Sequence, residues 1–199
     1  MMRSKYAIAA LVVVTVTGFL AGAVFSGEGE EKGKAGPPQP PPPPAELKAL
    51  DAFVGQWRST YEFMPAMFGE AGVGAGRGTC QWVLDHRFVM SKGEGTGSFG
   101  EYEWIGLMTY DPMMRTYRSF EFNNYGECTV GTMTYDADTK TWTAVSDGYD
   151  MSGRPAKNKV TMRFVGKDQL EWSWFLKSEG ETEFVQMMKG ADSRITREK

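Results

Sequence analysis

Residues 159–176 read KVTMRFVGKDQLEWSWFL, and the period of this stretch decides the fold. Val160, Met162 and Phe164 share one face of an extended run, opposite Thr161 and Arg163. Gly166-Lys167-Asp168 then supplies a turn. Trp172, Trp174 and Leu176 repeat the pattern on the return, opposite Glu171 and Ser173. One apolar and one polar face at a period of two is the mark of a half-buried strand, and two such runs joined by turn residues make a hairpin. Working outward, runs of this kind recur near residues 56–63, 79–84, 88–94, 102–110, 116–122, 127–135, 141–146 and 182–188. Turn chemistry separates them at Asp85-His86, Asp111-Pro112, Asn123-Asn124, Asp136-Ala137-Asp138, Asp147-Gly148 and Glu179-Gly180. Strands in chain order with only hairpin-length links most economically close on themselves and remove their exposed edges. The expected fold class is all-β, an up-and-down antiparallel barrel of about ten strands.

Before the first strand, Leu47, Leu50 and Val54 recur at helical spacing and Gly55 stops them, so a short amphipathic helix is expected to open the domain at Ala45. Ahead of it, residues 27–44 are Gly, Glu and Lys followed by a run of prolines. This is a composition for a semi-rigid spacer, with a ligand for a proline-reading domain as the sharper alternative. Residues 1–26 carry Arg3 and Lys5 ahead of an uncharged apolar stretch that ends in Ala21-Gly22-Ala23. That pattern is a signal peptide, or an uncleaved signal anchor given its length. Both readings export residues 45–199, to the periplasm or the outside if cleaved and to the outer side of a membrane if not.

Two groups of residues carry a family resemblance. Leu50-Asp51-Ala52-Phe53-Val54-Gly55-Gln56-Trp57 is similar to the opening of lipocalin-like (calycin) barrels, a short helix leading into Gly-x-Trp on the first strand. The resemblance implies that Trp57 closes one end under an Arg from the end of the last strand. Arg197 is the first match to it and Arg194 the second. The second group is Trp82 through Val89, Lys92-Gly93-Glu94-Gly95, Ile105 through Asp111, and Arg115-Thr116-Tyr117. It resembles the bacterial proteins grouped as domain of unknown function 1579, over nearly all of residues 45–199. It departs at Asp85-His86, where that family's hairpin tip usually has glycines. The resemblance implies a calycin-like barrel and leaves function open.

Net charge is −3 with a pI near 5.4, and the basic residues are scattered, so nucleic acid is not an expected partner. His86 is the only histidine. A haem-ligand reading is set against ordinary turn chemistry at a hairpin tip, and no Ser-His-Asp or Cys-His catalytic set can be built around it. Gly72, Gly74, Gly76 and Gly78 have Gly-x-Gly spacing but lack the strand and helix of a dinucleotide fingerprint; residues 64–77 read instead as a long mobile loop, a candidate portal. The acidic pairs at 136–138 and 147–150 lack the Gly and distal Glu of a calcium loop, and no Cys or His cluster offers a zinc site. Cys80 and Cys128 are either bridged or two small buried thiols.

Of thirteen methionines, all but Met1 and Met2 lie in the domain. They read as core packing, as an adaptable cavity lining, or as a Cu(I) site. No catalytic residue, metal or cofactor is assigned. The expected function is binding of a small hydrophobic or amphipathic molecule in the lumen. Met162, Phe164, Trp172 and Trp174 would line it, and Arg118 or Tyr117 would supply the polar contact. The alternative is a filled barrel serving as a protein-interaction or cell-envelope structural module, with an enzyme a distant third.

Overall fold

The computed structural model describes residues 40–196 apart from residue 99. The expected signal segment at 1–26, the spacer up to residue 39, and Arg197 lie outside the described residues. Ten strands follow in chain order: β1 (Gly55–Phe63), β2 (Gly72–Val83), β3 (Phe88–Gly97), β4 (Gly100–Asp111), β5 (Thr116–Asn123), β6 (Cys128–Asp136), β7 (Thr141–Tyr149), β8 (Pro155–Phe164), β9 (Gln169–Ser178) and β10 (Val185–Arg194). Each pairs antiparallel with the next, and β1 also pairs with β10, so the sheet closes. The expected up-and-down barrel is the fold.

Register and period together sort the strand residues to one side of the wall or the other, apart from a register irregularity in β10 between Gln186 and Met188. Outward positions carry directly opposed charges: Arg77 and Glu94, Lys157 and Asp147, Arg163 and Glu171, Lys189 and Glu62 are all cross-strand ion pairs. These exposed pairs contribute little energy but match a solvated outer face. Inward positions bring together Trp57, Val89, Met133, Trp142 and Leu170, all buried. Val160, Met162, Phe164, Trp172 and Trp174 share that inner face.

β2 begins well before the expected Thr79. The stretch read as a mobile loop is mostly strand, because Gly72, Gly74, Gly76 and Gly78 occupy successive inward positions opposite Phe63, Tyr61, Ser59 and Trp57. What remains of the loop is a single turn of helix, α1 (Pro65–Phe68), with Pro at its start and Gly69 in the left-handed conformation at its end.

The opening helix is a 3-10 helix, Ala45–Phe53. Its period of three puts Leu47, Leu50 and Phe53 on the buried side, so Phe53 takes the place expected of Val54, which caps the helix in an extended conformation. The helix seals the barrel at the start of β1, where its apolar side meets Trp57, Trp142, Met133 and Leu170. α1 lies at the opposite end, since β1 runs from one to the other. There Met67 packs with Trp174 against Ala156, Leu176 and Met187.

Candidate functional site

The closed end is built around Trp57. Its indole N–H donates to the Phe53 carbonyl at 2.7 Å, and the Arg194 guanidinium lies 4.1 Å over the ring. Arg194 donates to Asp168 Oδ1 (3.1 Å) and to the carbonyls of Ala52 (3.0 Å), Lys167 (3.0 Å) and Val54. It thereby ties the 3-10 helix and the β8–β9 turn to the last strand. Gly55 explains the Gly-x-Trp motif: its φ is +148°, and a Cβ there would lie 2.2 Å from an Arg194 nitrogen. The stacking partner of Trp57 is therefore Arg194, the second of the two positions read from the sequence.

Above this floor, the lumen holds a cavity of about 250 Å³ touched by all ten strands. Its lining combines Trp104, Met108, Val160 and Met162 with Ser59, Ser91, Ser119, Thr129, Ser146 and Asn158. The space stays open because large rings lie flat against the wall. A Cβ on Gly93 would meet Trp104 at 2.3 Å, one on Gly74 would meet Tyr61 at 2.1 Å, and one on Gly190 would meet Trp172 at 2.5 Å. Each glycine is thus a seat for an aromatic ring from a neighbouring strand, and the ring covers wall instead of filling the lumen. The Tyr61 hydroxyl is fixed against the wall by the Ala75 (3.0 Å) and Thr96 (3.1 Å) carbonyls.

Two carboxylates face the cavity. Asp192 accepts a hydrogen bond from the Trp172 indole at 2.9 Å and another from Ser59; burial outweighs both and holds its carboxyl above the usual range. Glu121 has protein packed around it but keeps surface open to the cavity, and burial raises its carboxyl too, aided by the charge of Glu127. The Tyr102 hydroxyl donates to Glu121 Oε1 at 3.0 Å, and the Asn123 amide donates to Tyr102 (3.4 Å) and to Glu127 Oε2 (2.9 Å). Burial and the same carboxylates push the Tyr102 hydroxyl well above its ordinary value, which keeps it a donor.

The sequence-derived ligand residues divide. Met162 lines the cavity. Phe164 belongs to the floor, 5.1 Å edge-on from Phe53. Trp172 and Trp174 face inward and place their indoles on Asp192 and Asn158, the latter at 3.0 Å. Tyr117 also faces inward, but its hydroxyl donates to the Glu46 carbonyl of the 3-10 helix (2.9 Å). Arg118 sits on the opposite side of β5, on the outer wall, with its buried Nε unpaired. Arg118 is therefore outside the lumen it was expected to face, and Glu121, three residues on, lines the cavity.

Glu121 was not among the residues read from the sequence. Arg118 and Tyr117, the two candidates on this strand, have opposite parity and left its inner face open, whereas the structure turns Glu121 inward and Phe120 and Phe122 outward. The shared parity of Tyr117, Ser119, Glu121 and Asn123 was the available signal. His86 lies in the β2–β3 turn, beside Trp82 at 5.8 Å, where Leu84, Asp85 and His86 all have positive φ. Cys80 and Cys128 are unpaired, one facing the cavity and the other on the outer wall. Among the described residues no group of His, Cys, Asp and Glu could hold a metal ion. Met113 and Met114 are exposed in a turn, while Met133 and Met187 are core.

A family model described as protein of unknown function (DUF1579) matches residues 42–194. No curated protein matches the chain. Among solved structures, Rv2717c from M. tuberculosis superposes with a TM-score of 0.56 at 13% identity, covering 78% of this chain and 100% of that one, which is a likeness of fold. EF1p2_mFAP2b bound to DFHBI matches at a TM-score of 0.41 and 13% identity, over 75% of this chain and 98% of that one. A de novo designed fluorescence-activating β barrel matches at a TM-score of 0.39 and 15% identity, over 74% of this chain and 97% of that one.

Proposed function

The chain belongs to the DUF1579 family of proteins of unknown function, and from its lumen we propose that it binds one small amphipathic molecule inside the barrel. The cavity of about 250 Å³ carries this reading. Sites for drug-sized ligands run from roughly 300 Å³ upward and combine apolar walls with a few fixed polar groups. This lumen has that make-up at a volume somewhat below that range, which suits a ligand smaller than drug-sized. The reading is of binding, not chemistry. The one thiol on the cavity, Cys80, is pushed up to about 11 by burial and by Asp192, so it stays protonated and unreactive. Export by the N-terminal segment is part of the proposal and is checked by fractionation of the producing cell.

Native mass spectrometry of the full chain purified from a bacterial envelope, alongside an organic extract, tests the binding reading. One co-purifying small molecule per chain is expected. A bare mass, with no uptake of neutral, cationic or anionic lipophilic probes, overturns it. That result would move function to the outer wall of β4–β6, where Ile105, Phe122 and Val130 are exposed apolar neighbours, and so to the protein-interaction alternative.

A further inference from the structure

Resting on the lumen-binding reading, we propose that the ligand is an organic cation, a protonated amine on a compact apolar body, whose charge is met by Glu121. The inward positions of the ten strands carry two acids, Glu121 on β5 and Asp192 on β10, and both line the cavity. Among the described residues the one base at an inward strand position is Arg194. It is committed to the floor: Asp168, three backbone carbonyls and the Trp57 face occupy it. Lys92 borders the cavity but stands at an outward, exposed position of β3, so among the described residues no inward cation is left to answer the lumen acids.

The two acids differ in what they have left to offer. Asp192 already holds two neutral donors. Among the described residues, Glu121 accepts from Tyr102 alone, through Oε1, and its remaining capacity faces the cavity. Behind it, Tyr102 and Asn123 connect to a third carboxylate, Glu127, which adds negative potential at the same place. Low-dielectric walls focus that potential into the lumen. A carboxylate or phosphate headgroup would meet like charge here, and a neutral lipid would leave Glu121 unanswered. An ammonium supplies both the charge and the N–H donors that the site lacks. Trp104 on the lining adds a ring face, which attracts cations, and Met108, Val160 and Met162 accept an alkyl body.

Isothermal titration of the full chain at pH 7.5 with octylamine, octanol and octanoate separates the possibilities. Octylamine is expected to bind with one-to-one stoichiometry at least ten-fold tighter than octanol, with octanoate weakest. Glu121→Gln, shown to be folded by its far-UV circular dichroism and cooperative melting, is expected to bring octylamine to within about three-fold of octanol. Equal affinities, a preference for octanoate, or an amine preference that survives Glu121→Gln overturns the cation assignment and leaves lumen binding standing. Failure of all three probes overturns lumen binding itself.

Discussion

Gly55 and Arg194 stand 139 positions apart in the chain and occupy one another's space. Adding a methyl group at Gly55 both forces an L side chain into φ +148° and drives it against the guanidinium. Gly55→Ala is therefore expected to cost about 2–4 kcal/mol in urea unfolding. In an Arg194→Ala background the same change keeps only its backbone strain and costs about 1 kcal/mol, so the pair is strongly non-additive. Glu121 makes a different prediction. Its carboxyl is raised in the fold, so the folded protein holds this proton more tightly than the unfolded chain does. The stability this provides is full below the unfolded value near 4 and is lost as pH rises through the folded one. Glu121→Gln, without ligand, is expected to melt higher than the parent at pH 8, with the difference closing toward pH 4. A parent that melts higher at pH 8 would mean that the lumen tolerates the charge. A carboxyl with a perturbed proton affinity that lines a cavity is a candidate for function.

At the scale of elements, what could be read in advance depended on whether a strand carried its own signal. The hairpin of β8 and β9 was legible because its inward side chains, Val160, Met162, Phe164, Trp172, Trp174 and Leu176, are its own. β2 was not, because its inward positions at 72–78 are glycines, three of them roofed by Phe63 and Tyr61 from β1 and by Trp104 from β4. A strand whose inner side chains are lent by its neighbours has no period of its own to read. β5 was undecided for another reason: its rings, Phe120 and Phe122, face out and its acid faces in, so local alternation fixes which residues share a face but not which face is inward. Of the site, Met162 was legible and Glu121 was not, since the pairing Gly106↔Glu121 that turns it inward is a property of two strands together. The glycine seats yield a test at this scale. Gly93→Ala would place a Cβ 2.3 Å from Trp104 and 2.7 Å from the Arg77 carbonyl. It is expected to cost about 1–3 kcal/mol and, by lifting the Trp104 ring into the lumen, to weaken octanol binding at least ten-fold while the far-UV spectrum stays that of a barrel.

For the whole molecule, the seam between β1 and β10 runs from Trp57↔Arg194 to Phe63↔Met188, as regular as any other pairing in the wall, and Ile195 N–H still donates to the Gln56 carbonyl at 2.8 Å beyond it. The polypeptide has two ends, but the sheet has none: nothing in its hydrogen bonding distinguishes the first strand from the fourth. Where synthesis starts is then arbitrary for the finished object. A circular permutant that joins residue 196 to residue 41 through a short Gly/Ser bridge and opens instead in the turn at 136–140 should assemble the same ring. Its circular dichroism and its one-to-one uptake of amphiphile are expected to match the parent. A permutant that stays unfolded would show that the barrel depends on the order in which its staves arrive, and not only on how they fit.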